Sequence, residues 1–431
     1  MKKKIEMDGE AKGSCEEYEA LSRRGFLGVT ASAAGALSLA PSFVLGSEPS
    51  RSGNNGRDVL VVVYLRGGMD GLTAVVPYGD QALYSARPTL AVPPPGQTDG
   101  AIDLDGFFGL SPALAPLMAP YNAGELAFVQ ATGSPDPSLS HFEAQYFMES
   151  ATPNMGHTGI NTGWIGRHLS TVSPLGGGLF RGVGWSPMIA LGLVGASGVL
   201  SIESPSDFVF PGDPATETLR RQLYLEMYSQ TIEPLKGAAA SSLPTVDLLA
   251  SVNFANYTPA NGASYPASSF GEQLGYTAAT IKADIGLEVA HIDIPSWDTH
   301  ADMGPLTGTL ATKLADLGAG LEAFWRDLGS DIDKVTVVVM SEFGRRVEEN
   351  DSEGTDHGQG GCMFVMGGNV DGGQVISQWP GLDPASLGNG NLSITIDYRD
   401  ILAEILEDRL ESPSASDVFL GYQPTYQNVT F

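Results

Sequence analysis

Short apolar segments recur along the chain and predict the strands of a sheet. The first spans Asp58 to Leu65, and others lie at 126–129, 289–294, 335–340 and 363–366. Their hydrophobic residues follow one another without alternating with polar ones, a pattern typical of strands that are covered on both faces, as in parallel sheets. We therefore expect a central sheet that is mostly parallel.

Helical patterns separate these strands. From Leu306 to Leu328, apolar residues recur at steps of three and four and form one face of a helix. A second amphipathic pattern spans Tyr398 to Leu410 and carries four aliphatic residues on one face. Strands that alternate with helices of this length predict a doubly wound α/β fold.

The middle of the chain departs from this alternation. Asp213-Pro214 followed by Glu217 is a typical helix start, with proline at the first helical position, and we expect this helix to end near Leu235. A stretch rich in Ser, Asn, Tyr, Gly and Pro follows at 253–269. We interpret residues 205–285 as a helical insertion with a surface loop that serves as a lid over a site.

The first 46 residues have the organisation of an export signal. Ser22-Arg23-Arg24-Gly25-Phe26-Leu27 is a twin-arginine motif, a mildly apolar stretch continues to Leu45, and Gly46 offers a small residue for cleavage. The alternative is a core helix that follows a chance Arg-Arg pair. We expect a mature chain of residues 47–431 in the periplasm or outside the cell, without a stable membrane span.

The charge balance excludes one class of partner. The chain holds 50 Asp+Glu against 23 Lys+Arg, a formal net charge of -27, which argues against binding nucleic acid through a basic surface. Of the two cysteines, Cys15 belongs to the predicted signal, so Cys362 remains alone and no intramolecular disulfide is available to the mature protein. We interpret Cys362 as a buried thiol rather than a nucleophile. The oligomeric state stays open at this stage.

Polar side chains follow the apolar strands, at the point where each strand ends. In open α/β sheets, ligands bind beyond the carboxyl ends of the strands. A glycine-rich turn follows the first strand, and a second glycine-rich loop precedes the last one. The charged and metal-binding residues at these positions are Arg66, Asp298, His300, Glu342, Arg345, Asp356 and His357.

Carboxylates and imidazoles without thiolates are ligands for Zn, Mn, Fe or Ca/Mg rather than for a cysteine-rich structural zinc. Asp298 and His300 are two residues apart, so their side chains point the same way in an extended segment. Glu342 leaves a buried strand directly, where a carboxylate needs a partner or a metal. We expect a divalent metal held by Asp298, His300, Glu342 and His357, with Asp356 as the next ligand. The alternative is a hydrogen-bonded polar cluster without metal.

A serine and a histidine begin the helix that follows the second strand. Ser140 and Glu143 have the spacing of a capping box, which is a purely structural interpretation. The functional alternative places Ser140 or His141 at a helix N-terminus that favours an anion, where a serine beside a metal is an activated nucleophile.

Six segments in a fixed order carry a family resemblance. They are LRGGMDGL, VVPYGD, SHFEAQ, WDTH, SEFGRR and GTDHGQGG, and they follow the twin-arginine signal. Together they resemble an uncharacterised family of exported bacterial proteins grouped with the alkaline phosphatase and sulfatase superfamily. The resemblance implies that residues 47–431 form a single alkaline phosphatase-like α/β domain. It also implies a metal site formed by Asp298, His300, Glu342 and His357, with Asp70 as the ligand after the first strand and Ser140 as the nucleophile.

The leading hypothesis is an exported metal-dependent hydrolase of a phosphate or sulfate ester. Ser140 or a water molecule attacks the ester, and Arg66 or Arg345 clamps its non-bridging oxygens. The rival hypothesis is a non-catalytic exported protein of the same fold that binds a surface glycan or a protein partner. A redox or isomerase function on this fold is the third.

Overall fold

The apolar segments of the sequence form the central strands of a nine-stranded sheet. The computed structural model describes residues 57–157, 159–175, 177–233 and 235–431. The strands are β1 (Val59–Leu65), β2 (Val75–Val76), β3 (Ile102–Asp103), β4 (Gly109–Leu110), β5 (Leu126–Gly133), β6 (Gly182–Gly184), β7 (Val199–Ser201), β8 (Val289–Ile294), β9 (Val335–Ser341), β10 (Gly361–Gly367), β11 (Val375–Ile376) and β12 (Ile396–Asp397).

The order of strands in the main sheet is β11-β5-β10-β9-β1-β8-β6-β7, and β12 also pairs with β5. β1 is parallel to both of its neighbours, β8 and β9, whereas β10 runs antiparallel to β5 and β9. β2, β4 and β3 form a small antiparallel sheet. The predicted α/β fold with a mostly parallel sheet is confirmed.

Helices cover both faces of the sheet. They are α1 (Gly71–Ala74), α2 (Ala82–Ala86), α3 (Met118–Asn122), α4 (His141–Ser150), α5 (Trp164–Thr171), α6 (Glu217–Ser229), α7 (Leu235–Ala250), α8 (Ser269–Lys282), α9 (Thr309–Leu328), α10 (Tyr398–Asp408) and α11 (Ala415–Val418). Short 3-10 turns lie at Pro112–Leu117, Leu191–Leu193, Pro205–Asp207, Pro214–Thr216, Phe254–Asn256 and Gly329–Lys334.

β1 shows why the apolar runs are continuous. Val61 and Val63 face one hydrophobic cluster, which includes residues of α8 and α9, and Leu60 and Val62 face the other, which includes residues of α10. All seven residues of β1 are buried. Each fully buried aliphatic side chain contributes about 1.5–3 kcal/mol relative to an exposed one, so a strand buried on both faces needs apolar residues at every position.

The predicted insertion contains more helix than its composition indicates. The predicted helix near 213–235 begins as a 3-10 turn, with the Asp213 carboxylate accepting from the Ala215 amide, and continues as α6. A further helix, α7, follows the predicted one, and its Ser241 and Thr245 hydroxyls donate to carbonyls one turn earlier. α8 packs against α9 and β8. The role of the insertion as a lid stays a prediction.

In the described part of the chain, no helix has both the length and the apolar composition that a bilayer crossing requires. The predicted export signal at 1–46 lies outside the described residues.

Candidate metal centre

The sheet brings the predicted site residues to one edge. Leu65 at the end of β1 pairs with Ile294 of β8 on one side and with Ser341 of β9 on the other, so the carboxyl ends of three strands lie level. β5 runs in the same direction as β9, because the antiparallel β10 lies between them. The segments that follow β1, β5, β8 and β9 therefore leave the sheet at the same edge.

One carboxylate, that of Asp298, lies at the centre of this edge. Its Oδ1 atom is 3.1 Å from Nε2 of His300 and 3.1 Å from Nε2 of His357. Its Oδ2 atom is 3.4 Å from Nε2 of His141. The guanidinium of Arg345 lies 2.6 Å from Oδ1. Three imidazoles from three different segments thus present the same ring nitrogen to one carboxylate.

Each of these imidazoles has its other nitrogen on a hydrogen-bond acceptor. The partners are Glu342 for His141 (Nδ1–Oε1 2.8 Å), the Leu139 carbonyl oxygen for His357 (Nδ1–O 2.7 Å) and Asp356 for His300 (Nδ1–Oδ1 3.1 Å). Because a carbonyl and an ionised carboxylate only accept hydrogen bonds, Nδ1 carries the proton in each ring. The same arrangement orients metal-binding histidines, whose second nitrogen donates to a carboxylate or a backbone carbonyl.

A close contact between two ring nitrogens calls for a cation. Nε2 of His300 lies 2.8 Å from Nε2 of His357. With both Nδ1 atoms protonated, neutral rings would direct two lone pairs at each other, so a proton or a metal ion between them is required.

The residues present fit a divalent metal ion. His141, Asp298 and His357 each offer one ligand atom, and these atoms all lie within 4.8 Å of one another. Ligand atoms at about 2.0–2.3 Å from a first-row ion lie within this spacing of one another. Two or three imidazoles and one carboxylate suit Zn or Mn better than Ca or Mg, which prefer all-oxygen sites.

The same contacts control the ionisation of the cluster. Burial raises the pKa of Asp298, but hydrogen bonds from the three histidines and the charge of Arg345 outweigh it and hold the pKa well below its usual range. Burial lowers the pKa of His141, yet Asp298 and Glu342 raise it to about 9. Burial raises the pKa of Glu342, and His141 and Gln145 lower it below the usual value. Both carboxylates are therefore ionised at neutral pH.

Glu342, a predicted ligand, lies behind His141. Its carboxylate is fully buried, and Oε1 accepts from the Gly67 amide at 2.8 Å, from His141 at 2.8 Å and from Gln145 at 3.0 Å. Three donors on one oxygen fix the carboxylate and hence the plane of the His141 ring. The structure thus places Glu342 where it orients the His141 imidazole.

The two predicted clamp arginines are occupied by acceptors of the protein. Arg345 is buried and also donates to the backbone carbonyls of Gly67, Gly68, Trp297 and Thr355. Arg66 pairs with Glu149 at 2.6 Å and with Asp293 at 2.8 Å, and it lies over the Tyr64 ring. Arg345 therefore joins the segments that follow three strands.

Asp70, a metal ligand according to the family resemblance, binds an arginine and a backbone amide instead. Its buried carboxylate caps α1 through the Thr73 amide at 2.9 Å and pairs with Arg87 at 2.9 Å.

Ser140 is the N-cap residue of α4, and Glu143 accepts from the Ser138 hydroxyl at 3.0 Å. Ser140 lies between Leu139 and His141, both of which contact the cluster.

His141 was expected at the start of a helix but not among the predicted metal ligands. Its position after β5 was the available signal, because it places His141 at the same sheet edge as the predicted ligands. The position of Gln145 also indicates that it lies near the cluster, because it is four residues after His141 and residues four apart lie on the same face of a helix. Its amide donates to Glu342 at 3.0 Å and its oxygen accepts from Arg66 at 3.1 Å.

Residues 129–408 match the family described as "Protein of unknown function (DUF1501)". The chain belongs to this family. No curated protein matches the DUF1501 chain in sequence.

Solved structures resemble the DUF1501 chain at low identity. One is the PsFucS1 sulfatase from Pseudoalteromonas sp., with 12% identity, a TM-score of 0.37 and coverage of 87% of this chain and 74% of that one. A protein in the alkaline phosphatase superfamily from Vibrio parahaemolyticus has 11% identity, a TM-score of 0.33 and coverage of 82% and 71%. The phosphonate monoester hydrolase of Agrobacterium radiobacter has 11% identity, a TM-score of 0.31 and coverage of 86% and 79%.

Glycines allow the segments of the site to approach one another closely. Gly67 has φ +122, and a Cβ atom there would lie 2.7 Å from the amide nitrogen of Asp298. A Cβ atom on Gly358 would lie 2.3 Å from the carbonyl carbon of Arg345. The glycine-rich turns thus bring the backbone of one segment against the residues that another segment contributes to the cluster.

This close approach predicts the effect of Gly67→Ala. The new methyl group collides with the backbone at Asp298 and the residue is forced into a left-handed conformation, so we expect a loss of roughly 2–4 kcal/mol in the free energy of unfolding. The measurement is equilibrium unfolding in urea.

Gly106→Ala is the matched control, because Gly106 has φ +89 and open space around it. We expect it to lose only the cost of the backbone conformation, roughly 1–2 kcal/mol. Equal losses for the two variants would show that the approach of Gly67 to Asp298 is unimportant.

Proposed function

We propose that this protein is a metal-dependent hydrolase that acts on a phosphate or sulfate ester. In this proposal, His141, Asp298 and His357 hold a divalent ion, and His300 lies next to it. The observation that supports the proposal is the convergence of three Nε2 atoms on one carboxylate while every Nδ1 atom is held by an acceptor. Such an arrangement fixes the rings in advance and leaves only Nε2 to bind a cation, which replaces the Nε2 proton of His141.

The surrounding residues have distinct roles in this proposal. A bound divalent ion supplies polarisation of the ester oxygen and stabilises the charge that develops on it. Glu342 and Gln145 fix the His141 ring, and the Leu139 carbonyl fixes the His357 ring. Arg345 keeps Asp298 ionised and holds its segment in place.

Ser140 is the proposed nucleophile. It is the N-cap residue of α4, between two residues that contact the cluster. The N-terminus of a helix favours negative charge, so this position suits both an ionising hydroxyl and an anionic ester. A water molecule at the same place is the alternative attacking group.

The state of the two arginines favours a second candidate function. Arg66 and Arg345 are both paired with carboxylates, and a substrate oxyanion has to compete with these partners. A non-catalytic protein that binds a surface glycan or a protein partner does not need free guanidinium groups. The hydrolysis experiment below separates the two candidates.

We also propose that residues 1–46 direct twin-arginine export and that the mature chain, residues 47–431, is one α/β domain. The support is the motif Ser22-Arg23-Arg24-Gly25-Phe26-Leu27 with the weakly apolar stretch that follows it.

The metal site predicts the metal content of purified variants. Wild-type protein is expected to hold close to one equivalent of a transition metal by elemental mass spectrometry, and His141→Ala and His357→Ala are expected to lose most of it. His157→Ala is the matched control, because His157 is 62% exposed and pairs with Glu143 instead. Wild-type protein that binds no added Zn or Mn would contradict the site.

The hydrolase proposal predicts turnover of aryl esters. Metal-loaded protein is expected to hydrolyse an aryl phosphate or an aryl sulfate, and Ser140→Ala is expected to lower kcat at least 100-fold while metal content stays unchanged. Unchanged kcat in Ser140→Ala would assign the attack to water. Metal-loaded protein that hydrolyses none of these esters would favour the binding function.

The export proposal predicts the fate of a double variant. Arg23→Lys with Arg24→Lys is expected to abolish appearance of the processed protein in the periplasm of a host with a twin-arginine system, while Arg51→Lys has no effect. Wild-type mature protein is expected to begin near Ser47 by N-terminal sequencing. Normal export of the double variant would rule out this route.

A further inference from the structure

Carboxylates outnumber cations around the candidate metal centre. The inner group consists of the charged residues whose side chains are at most 24% exposed and that hydrogen bonds or ion pairs connect, directly or through His141 and Gln145. It contains four carboxylates and two guanidinium groups, namely Asp298, Glu342, Glu149, Asp293, Arg66 and Arg345. His141 is neutral once its Nε2 binds a metal in place of a proton, so four negative charges against two positive charges leave a surplus of two, which one divalent ion cancels.

The rim of the centre adds negative charge. Asn350 donates to the His300 carbonyl at 2.9 Å and to the Asp356 carboxylate at 3.1 Å, so the loop 346–356 is attached directly to the site. This loop holds one arginine, Arg346, against five carboxylates, which are Glu348, Glu349, Asp351, Glu353 and Asp356. This acidic rim adds negative charge beside the inner group, and its Glu349 is held by the Thr89 and Leu90 amides.

The Arg and Lys side chains at the centre already donate to acceptors of the protein, so few of their N–H groups remain for a substrate. Both guanidinium groups of the inner group hold carboxylates of the protein, and Arg345 is also saturated by backbone carbonyls. Arg346 donates to the Asn389 carbonyl, and its charge acts on Asp356. Lys313 donates to the Pro295 carbonyl at 3.2 Å. The positive charge of the bound ion is thus needed to balance the protein's own carboxylates.

We infer that the centre selects esters that carry one negative charge, such as sulfate monoesters and phosphodiesters, over phosphate monoesters that carry two. This inference rests on the proposed function and narrows its substrate class. A singly charged ester adds one negative charge to a neutral inner group. A dianion adds two in a partly desolvated site behind an acidic rim, where like charges repel strongly.

The test compares substrates with the same leaving group and different charge. At pH 8, p-nitrophenyl phosphate is a dianion, whereas methyl p-nitrophenyl phosphate and p-nitrophenyl sulfate are monoanions. For metal-loaded full-length protein, kcat/KM is expected to be at least tenfold higher for one of the monoanions than for the dianion. The better monoanion identifies the ester as a phosphodiester or a sulfate. A higher kcat/KM for p-nitrophenyl phosphate would overturn the inference.

A charge variant shows whether the carboxylates cause the selection. Asp293→Asn removes one negative charge from the inner group and one partner from Arg66, so the relative kcat/KM for the dianion is expected to rise at least threefold. Glu226→Gln, an exposed acid on α6, is the matched control and leaves the ratio unchanged. An unchanged ratio in Asp293→Asn would contradict the electrostatic cause.

A binding measurement separates failure of this inference from failure of the proposed function. Calorimetric titration of metal-loaded protein with dimethyl phosphate, a monoanion, is expected to give at least tenfold tighter binding than titration with methyl phosphate, a dianion at pH 8. If this order holds without turnover of any ester, the hydrolase proposal fails and the charge selection stands. If methyl phosphate binds more tightly, or neither ligand binds, the charge selection is wrong whatever the turnover.

Discussion

The ion pair between Asp298 and Arg345 is the interaction on which the site depends. Arg345 is buried, and the side chain of Asp298 is 13% exposed, with 2.6 Å between Nη2 and Oδ1. Removing one member of a buried ion pair costs about 3–5 kcal/mol because the remaining charge has no compensation. The pair therefore fixes a negative charge at the sheet edge. Asp298 then attracts the three imidazoles, and the carbonyl bonds of Arg345 connect the segments that carry them.

A hierarchy leads from the apolar core to this charge. Continuous burial on both faces sets the register of β1 with β8 and β9, and this register brings three carboxyl ends level. Glycines then allow the following segments to touch, as at Gly67 against Asp298. Hydrogen bonds that Nδ1 of each histidine donates complete the order, because they leave only Nε2 to face the centre. Each level supplies a geometric requirement for the next, so the chemistry depends on the packing far from it.

The sequence was sufficient for the features that local patterns determine. The strand at 289–294 has the predicted bounds, and β1 begins one residue after the predicted Asp58 and ends at the predicted Leu65. β1 was recognisable because all of its residues are apolar and buried. The position of Asp298 and His300 at this sheet edge followed from the end of a parallel strand. His357 precedes β10 and reaches the same edge because β10 is antiparallel, which the sequence did not indicate. Contacts between residues far apart in the sequence could not be predicted from local patterns. Glu342 contacts His141 from 201 positions away, and nothing local indicates that it orients a ring. Similarly, only the folded chain places Arg87 beside Asp70.

Anomalous diffraction at the absorption edge of a bound metal tests the central claim most directly. Crystals of protein loaded with Zn or Mn are expected to show one ion about 2.0–2.3 Å from Nε2 of His141, Nε2 of His357 and an oxygen of Asp298. An ion bound elsewhere, or no ordered ion at saturating metal, would contradict the account and leave a polar cluster held together by protons.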